Sequence, residues 1–209
     1  LAQRAPKNQY FASGNQGRLQ KYDPKSPDFL ASKTLVEFAV KNGFYDPKKD
    51  GEFNFSKAYC RDDDRDRDYN DPRVWQIQKL LTPSLEQPVQ AGRSFPVWAA
   101  PDLKAIMRNH FESGELQSHD PYTKGLRGDE PYRPVSVFRT YESHVMQVRP
   151  WLPRAIGEVT YLAMGMADLS VYFPVYSGVS AYPEHFGMGT DKADDKSLYW
   201  KFRKLQTLV

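Results

Sequence analysis

Val145-Met146-Gln147-Val148-Arg149 and Thr160-Tyr161-Leu162-Ala163-Met164 decide the fold class. Both are short runs rich in β-branched and bulky apolar residues, and the chain between them carries Pro150, Pro153 and Gly157. Such a pattern reads as neighbouring antiparallel strands. Similar runs at 135–139 and 170–175 extend the expected sheet. On either side the spacing becomes helical. Ser32 is placed to cap a helix running to Asn42, with Leu35, Val36, Phe38 and Ala39 on its buried side and Gly43 as the stop. Asp71-Pro72 reads as a second helix start, with Val74, Ile77 and Leu81 on one face until Thr82-Pro83. Leu103, Ile106, Met107 and Phe111 mark a third helix over 102–112, and Tyr199, Phe202, Leu205 and Leu208 mark a last one over 196–209. Helices flanking an antiparallel sheet make the class α+β.

Composition narrows the function. The 29 Lys and Arg against 26 Asp and Glu leave a formal charge of +3 spread along the chain, with none of the basic stripe that phosphate backbones require. Nucleic acid is therefore not an expected partner. No apolar run is long enough to cross a bilayer, and the first twenty residues lack the charged-then-apolar pattern of a signal peptide, so no membrane is expected and the cytoplasm is the default location. The single cysteine, Cys60, excludes an intrachain disulfide and any multi-cysteine zinc site. The chain opens at Leu1 rather than Met, and a preceding segment is expected.

The acidic run Asp62-Asp63-Asp64-Arg65-Asp66-Arg67-Asp68 invites a calcium-loop reading. That reading fails, because counting from Asp64 puts Tyr69 where the loop needs glycine and Trp75 where it needs glutamate. A solvated loop with self-paired arginines is expected instead. Cys60 lacks a recognised cysteine-protease signature and stands next to carboxylates that disfavour a thiolate, so it reads as a small buried hydrophobe. His144 alternates with Glu142, Met146 and Val148 on one strand face, where it can enter a cleft or simply be a satisfied core residue. His110, His119 and His185 show no metal-ligand spacing, and no metal or cofactor is expected. Asn15, in the turn Ser13-Gly14-Asn15-Gln16-Gly17, can direct its amide toward an oxyanion or act only as a turn residue. Arg73, expected in the first turn of its helix, can hold an anion there or lie exposed; the positive end of the helix dipole is an unfavourable place for an idle cation.

Arg133-Pro134-Val135-Ser136-Val137-Phe138-Arg139-Thr140, followed by Glu142-Ser143-His144, resembles the signature stretch of the dipeptidase A family of lactobacilli, cousins of the secernins. Asn15-Gln16, Gly51-Glu52-Phe53-Asn54-Phe55, Tyr69-Asn70 with Pro72-Arg73-Val74-Trp75, Leu81-Thr82-Pro83-Ser84, Ser170-Val171-Tyr172 with Pro174, Tyr176-Ser177-Gly178 and Tyr199-Trp200 agree in the same order. The resemblance spans nearly the whole chain.

It implies the C-terminal portion of a single N-terminal-nucleophile hydrolase domain of four-layer αββα architecture. In that class a cysteine exposed at the mature N-terminus attacks a dipeptide, and its own α-amino group serves as base. The nucleophile-bearing portion has no counterpart in residues 1–209. The chain alone is accordingly expected to be inactive, and to self-associate or retain that portion as a partner. By the same resemblance, and a more distant one to bile-salt and penicillin acylases, Asn15 donates to the tetrahedral intermediate or to the α-amino group. Arg73 stabilises the thiolate or the oxyanion. His144 is a further candidate for substrate binding. Two other functions stay open at this level: a secernin-like interaction protein without activity, and an amidase acting on N-acyl substrates.

Overall fold

The computed structural model describes residues 1–17, 19–61, 63–86, 95–96, 102–124 and 132–208. They fall into two compact units, one of residues 1–101 with 130–133 and one of residues 102–129 with 134–209.

The first unit carries two small antiparallel pairs. β1 (Ala2–Gln3) pairs with β3 (Phe29–Leu30), and β2 (Gln9–Tyr10) pairs with β4 (Phe95–Pro96). Its helices are α1 (Leu35–Lys41), α2 (Phe55–Tyr59) and α3 (Asp64–Leu81). α1 begins at Thr34 rather than Ser32 and ends as its sequence suggests. Gly43 takes φ +71°, its N–H donates to the Val40 carbonyl and that of Phe44 to the Ala39 carbonyl. This is the Schellman closure, and Phe44 completes it by packing on Phe38 at 6.4 Å between ring centres. Leu35 and Ala39 are buried as expected, but Phe38 remains half exposed within an aromatic cluster around Tyr59. The Tyr59 hydroxyl donates to the Leu35 carbonyl at 2.5 Å.

α3 departs from the sequence reading. The described part of the acidic run is no loop: Asp63 caps the helix by accepting from the Asp66 N–H at 2.7 Å, while Asp64 and Asp66 occupy the first turn. Carboxylates there satisfy orphan N–H groups and favour the positive end of the helix dipole, so the run starts a helix. Asp62 lies outside the described residues. Pro72, read as a helix start, sits inside α3, where it removes one backbone donor without ending the helix. The C-terminus falls at Leu81 with Thr82 as cap, as expected.

The second unit holds α4 (Leu103–Arg108), a 3₁₀ turn (Gln117–His119), α5 (Pro121–Lys124), β5 (Glu142–Val148), α6 (Arg154–Gly157), β6 (Glu158–Met164), β7 (Phe173–Tyr176), α7 (Glu184–Gly187) and α8 (Leu198–Leu208). β5, β6 and β7 form one antiparallel three-stranded sheet, with His144 opposite Leu162 and Leu162 opposite Phe173. Pro174 is tolerated because β7 is an edge strand. α8 holds the sheet through Phe202 against Phe173, and Gln206 accepts from the Met166 N–H. α4 reaches it through Lys104 over the ring of Tyr161.

Residues 135–139, expected to be a strand, form a turn instead. The Ser136 N–H is taken by the Asn109 carbonyl, its hydroxyl accepts from the Asp168 N–H, and the Thr140 N–H bonds the Val137 carbonyl. With those groups satisfied by a turn and by loop residues, no strand ladder is required. α4 also ends earlier than expected. Phe111 is fully buried at φ +72° and its N–H donates to the Asn109 side chain, which turns the chain out of the helix. Mixed helices and antiparallel sheet confirm the α+β class. Among the described residues no helix is long and apolar enough to cross a membrane.

Candidate functional site

Asn70 is almost completely buried on α3, one helical turn after Asp66 and one before Val74. Its Nδ2 donates to the Asp66 carbonyl at 2.7 Å, leaving Oδ1 to accept two bonds. One comes from the backbone N–H of Asn15 at 2.6 Å and the other from Nη2 of Arg73 at 2.7 Å. Two of the residues singled out in the sequence, far apart along the chain, thus meet on one amide oxygen.

The turn carrying Asn15 is pinned on several sides. Gln16 Nε2 donates to the Asp66 carbonyl at 3.3 Å, Ser13 Oγ to the Gln16 carbonyl at 3.2 Å and Ser56 Oγ to the Gly17 carbonyl at 2.6 Å. Glycine is required at both ends of this contact: a Cβ on Gly14 would stand 2.5 Å from Asn70 Oδ1, and one on Gly17 would stand 2.1 Å from Cys60 Sγ. The backbone of Asn15 is therefore fixed while its exposed side-chain amide has no hydrogen-bond partner among the described residues. An amide held this way can donate to a ligand without first breaking an internal bond.

Arg73 lies in the middle of α3, not in its first turn, so the helix dipole is not what constrains it. Its guanidinium folds back along the helix, with Nε donating to the Tyr69 carbonyl at 2.9 Å and Nη2 to Asn70. Tyr69 collects further cations. Arg65 Nε donates to its hydroxyl at 3.1 Å, and the guanidinium of Arg133 lies 3.8 Å from its ring centre. The hydrogen bond from Arg65 and the two positive charges hold the Tyr69 phenol below its ordinary pKa.

Cys60 closes α2, half-buried against Gly17. All four histidines belong to the other unit, so no imidazole accompanies it in its own. His144 stands on β5 with its side chain about half exposed, and Nδ1 lies 3.1 Å from Glu142 Oε2 two residues away. It is not a core residue.

Sequence reasoning missed a second polar cluster. His110 Nδ1 is 3.0 Å from Asp120 Oδ1, and Nε2 is 4.0 Å from Asp168 Oδ2. Tyr122 packs edge-on against the imidazole and donates its hydroxyl to Asp168 at 2.7 Å. Burial first, and the bond to Asp168 next, push the Tyr122 phenol well above its ordinary range. Nothing local in the sequence signals this cluster, because its members come from three separate stretches of the chain, around 110, 120–122 and 168. Among the described residues no group of three or more His, Cys, Asp or Glu side chains is arranged to hold a metal ion.

Comparison with known proteins assigns the class. The sequence pattern of Peptidase family C69 matches residues 1–209. A probable dipeptidase of Salmonella dublin is 48% identical over 200 residues, covering 92% of this chain and 44% of that protein. A probable dipeptidase of Latilactobacillus sakei is 27% identical over 217 residues, covering 100% of this chain and 45% of its own length. Dipeptidase A of Lactobacillus helveticus is 23% identical over 210 residues, with 96% and 43% covered. These relatives define a class of peptidases. The chain belongs to Peptidase family C69, and it spans less than half the length of the curated relatives it matches.

Proposed function

We propose that the protein hydrolyses dipeptides by an N-terminal-nucleophile cysteine mechanism in which this chain supplies Asn15 and Arg73. The convergence of both residues on Asn70 Oδ1 carries the reading, together with the dipeptidase names of the relatives. The nucleophile is then a cysteine at the mature N-terminus, outside residues 1–209. Its α-amino group, titrating near pH 8, takes the thiol proton as sulfur attacks the scissile carbonyl carbon. Negative charge develops on the carbonyl oxygen, and the side-chain amide of Asn15 donates to it. The guanidinium of Arg73 favours the thiolate and that oxyanion. The C–N bond breaks, the ammonium returns its proton to the leaving amine, and water hydrolyses the thioester.

The architecture proposed with this chemistry is the four-layer αββα fold. The antiparallel sheet of the second unit supports it, as do the highly exposed Met146 and Val148 on β5, which the remainder of the protein is proposed to cover. His144 is given no part in the chemistry, because its ring nitrogen already faces Glu142.

The test uses the full-length protein and its Cys60→Ser variant with a dipeptide and with an N-acyl amino acid as substrates. Both proteins are expected to hydrolyse the dipeptide at comparable kcat and to leave the N-acyl compound intact. Abolition of turnover by Cys60→Ser overturns the N-terminal mechanism, and hydrolysis of the N-acyl compound alone makes the protein an amidase.

A further inference from the structure

Arg65, Tyr69 and Arg73 follow one another at four-residue intervals and share one face of α3. Arg133 adds a third guanidinium, stacked 3.8 Å from the Tyr69 ring centre, while that of Arg65 lies 5.3 Å from the same centre. Among the described residues neither Arg65 nor Arg133 has a carboxylate within 4.0 Å. Asp63 is the carboxylate whose field reaches Arg65, and it is engaged elsewhere: Oδ1 caps the Asp66 N–H and Oδ2 pairs with Arg61 at 3.2 Å.

Two cations gathered on one aromatic ring repel each other until an anion arrives. Each guanidinium spends a donor on the Tyr69 phenol, Arg65 through Nε at 3.1 Å, and the N–H donors left over on the two planar groups can take a carboxylate. We infer that Arg65 and Arg133, arrayed on Tyr69, bind the C-terminal carboxylate of the peptide substrate. This rests on the dipeptidase reading and deepens it.

Placement supports the assignment. The carboxylate of a dipeptide follows the scissile bond by a single residue, and successive Cα atoms are about 3.8 Å apart. One turn of helix, about 5.4 Å of rise, separates Tyr69 from Arg73. A substrate carboxylate held at Tyr69 therefore leaves the scissile carbonyl on the scale of the distance to Arg73 and the Asn15 turn. A longer peptide has no carboxylate at that point, so the same clamp selects dipeptides.

The experiment compares kcat/KM of the full-length protein for a dipeptide and for its C-terminal amide, in the wild type and in Arg65→Met, Arg133→Met and Arg133→Lys. Charge-assisted hydrogen bonds of this kind correspond to about ten- to a hundredfold in affinity. The acid-to-amide ratio is expected to fall by that factor in both Met variants, through KM rather than kcat, and to recover partly in Arg133→Lys. An unchanged ratio in both Met variants overturns the proposal and leaves the pair for a carboxylate of the protein itself. Arg65 is exposed, so its Met variant tests the site even where Arg133→Met fails to fold. If the wild type hydrolyses neither substrate, the dipeptidase reading has failed on its own. Calorimetric titration with the dipeptide then decides: binding weakened tenfold by Arg65→Met upholds the carboxylate site, and no binding or unaltered binding removes it.

Discussion

The backbone N–H of Asn15, and not its side chain, donates to Asn70 Oδ1 at 2.6 Å. The anchoring of this residue is thereby separated from whatever its amide does.

Asn15→Ala keeps that backbone bond and removes only the exposed amide. Thermal or denaturant unfolding of the full-length protein should shift by no more than about 0.5 kcal/mol. Turnover per folded molecule should fall about a hundred- to a thousandfold if the amide donates to the oxyanion. Near-normal turnover would return Asn15 to the role of a turn residue.

Asn70→Ala should behave in the opposite way. It strips the shared acceptor from the Asn15 N–H and from Nη2 of Arg73, and each part-buried hydrogen bond lost costs about 0.5–1.5 kcal/mol. Loss of stability and of activity together is expected. A variant that is fully stable yet inactive would point to direct contact between Asn70 and substrate.

Gly14→Ala drives a methyl group to 2.5 Å from Asn70 Oδ1, so the turn or the helix must move. Overpacking of this size costs about 1–3 kcal/mol, and kcat should fall with the displaced Asn15. An unchanged unfolding midpoint would show that the turn is looser than its bonds imply.

Arg73→Lys retains the charge but cannot bond the Tyr69 carbonyl and Asn70 with a planar fork. A loss of about tenfold or more in kcat/KM is expected. Equal activity would mean that Arg73 contributes only a positive field.

Tyr122 sets an alkaline limit on the second unit. Its folded-state pKa is raised above the ordinary 10.0, chiefly by burial and then by Asp168. The neutral phenol therefore contributes stability that is fully present below pH 10 and declines as the pH rises from there toward the folded value. Tyr122→Phe should unfold with a flatter pH dependence above pH 10 in denaturant titrations. Parallel curves would assign the alkaline loss to other groups.

The fold class was legible because strand and helix periodicities are local. So was the stop of α1, where glycine takes φ +71° without the steric cost a side chain would add. The start of α3 was misread because Asp71-Pro72 carries a stronger conventional start signal than a run of aspartates. Only the bond from Asp66 to the Asp63 carboxylate reveals the true cap. Asn15 and Arg73 came from resemblance. Their meeting on Asn70 was out of reach, since no periodicity links a turn to a buried amide in the middle of a helix. The cluster of His110, Asp120, Tyr122 and Asp168 was hidden for the same reason.

The contact between Cys60 and Gly17 bears on how the protein responds to thiol-directed reagents. Sγ already fills the space where even a single carbon on Gly17 would collide, so an alkyl or disulfide adduct on Cys60 that grows toward Gly17 displaces the neighbouring turn. Asn15 rides on that turn. Inactivation by iodoacetamide or a mixed disulfide would thus reach the chemistry by mechanical displacement, and sensitivity to such reagents does not identify the attacking sulfur unless Cys60 has first been replaced.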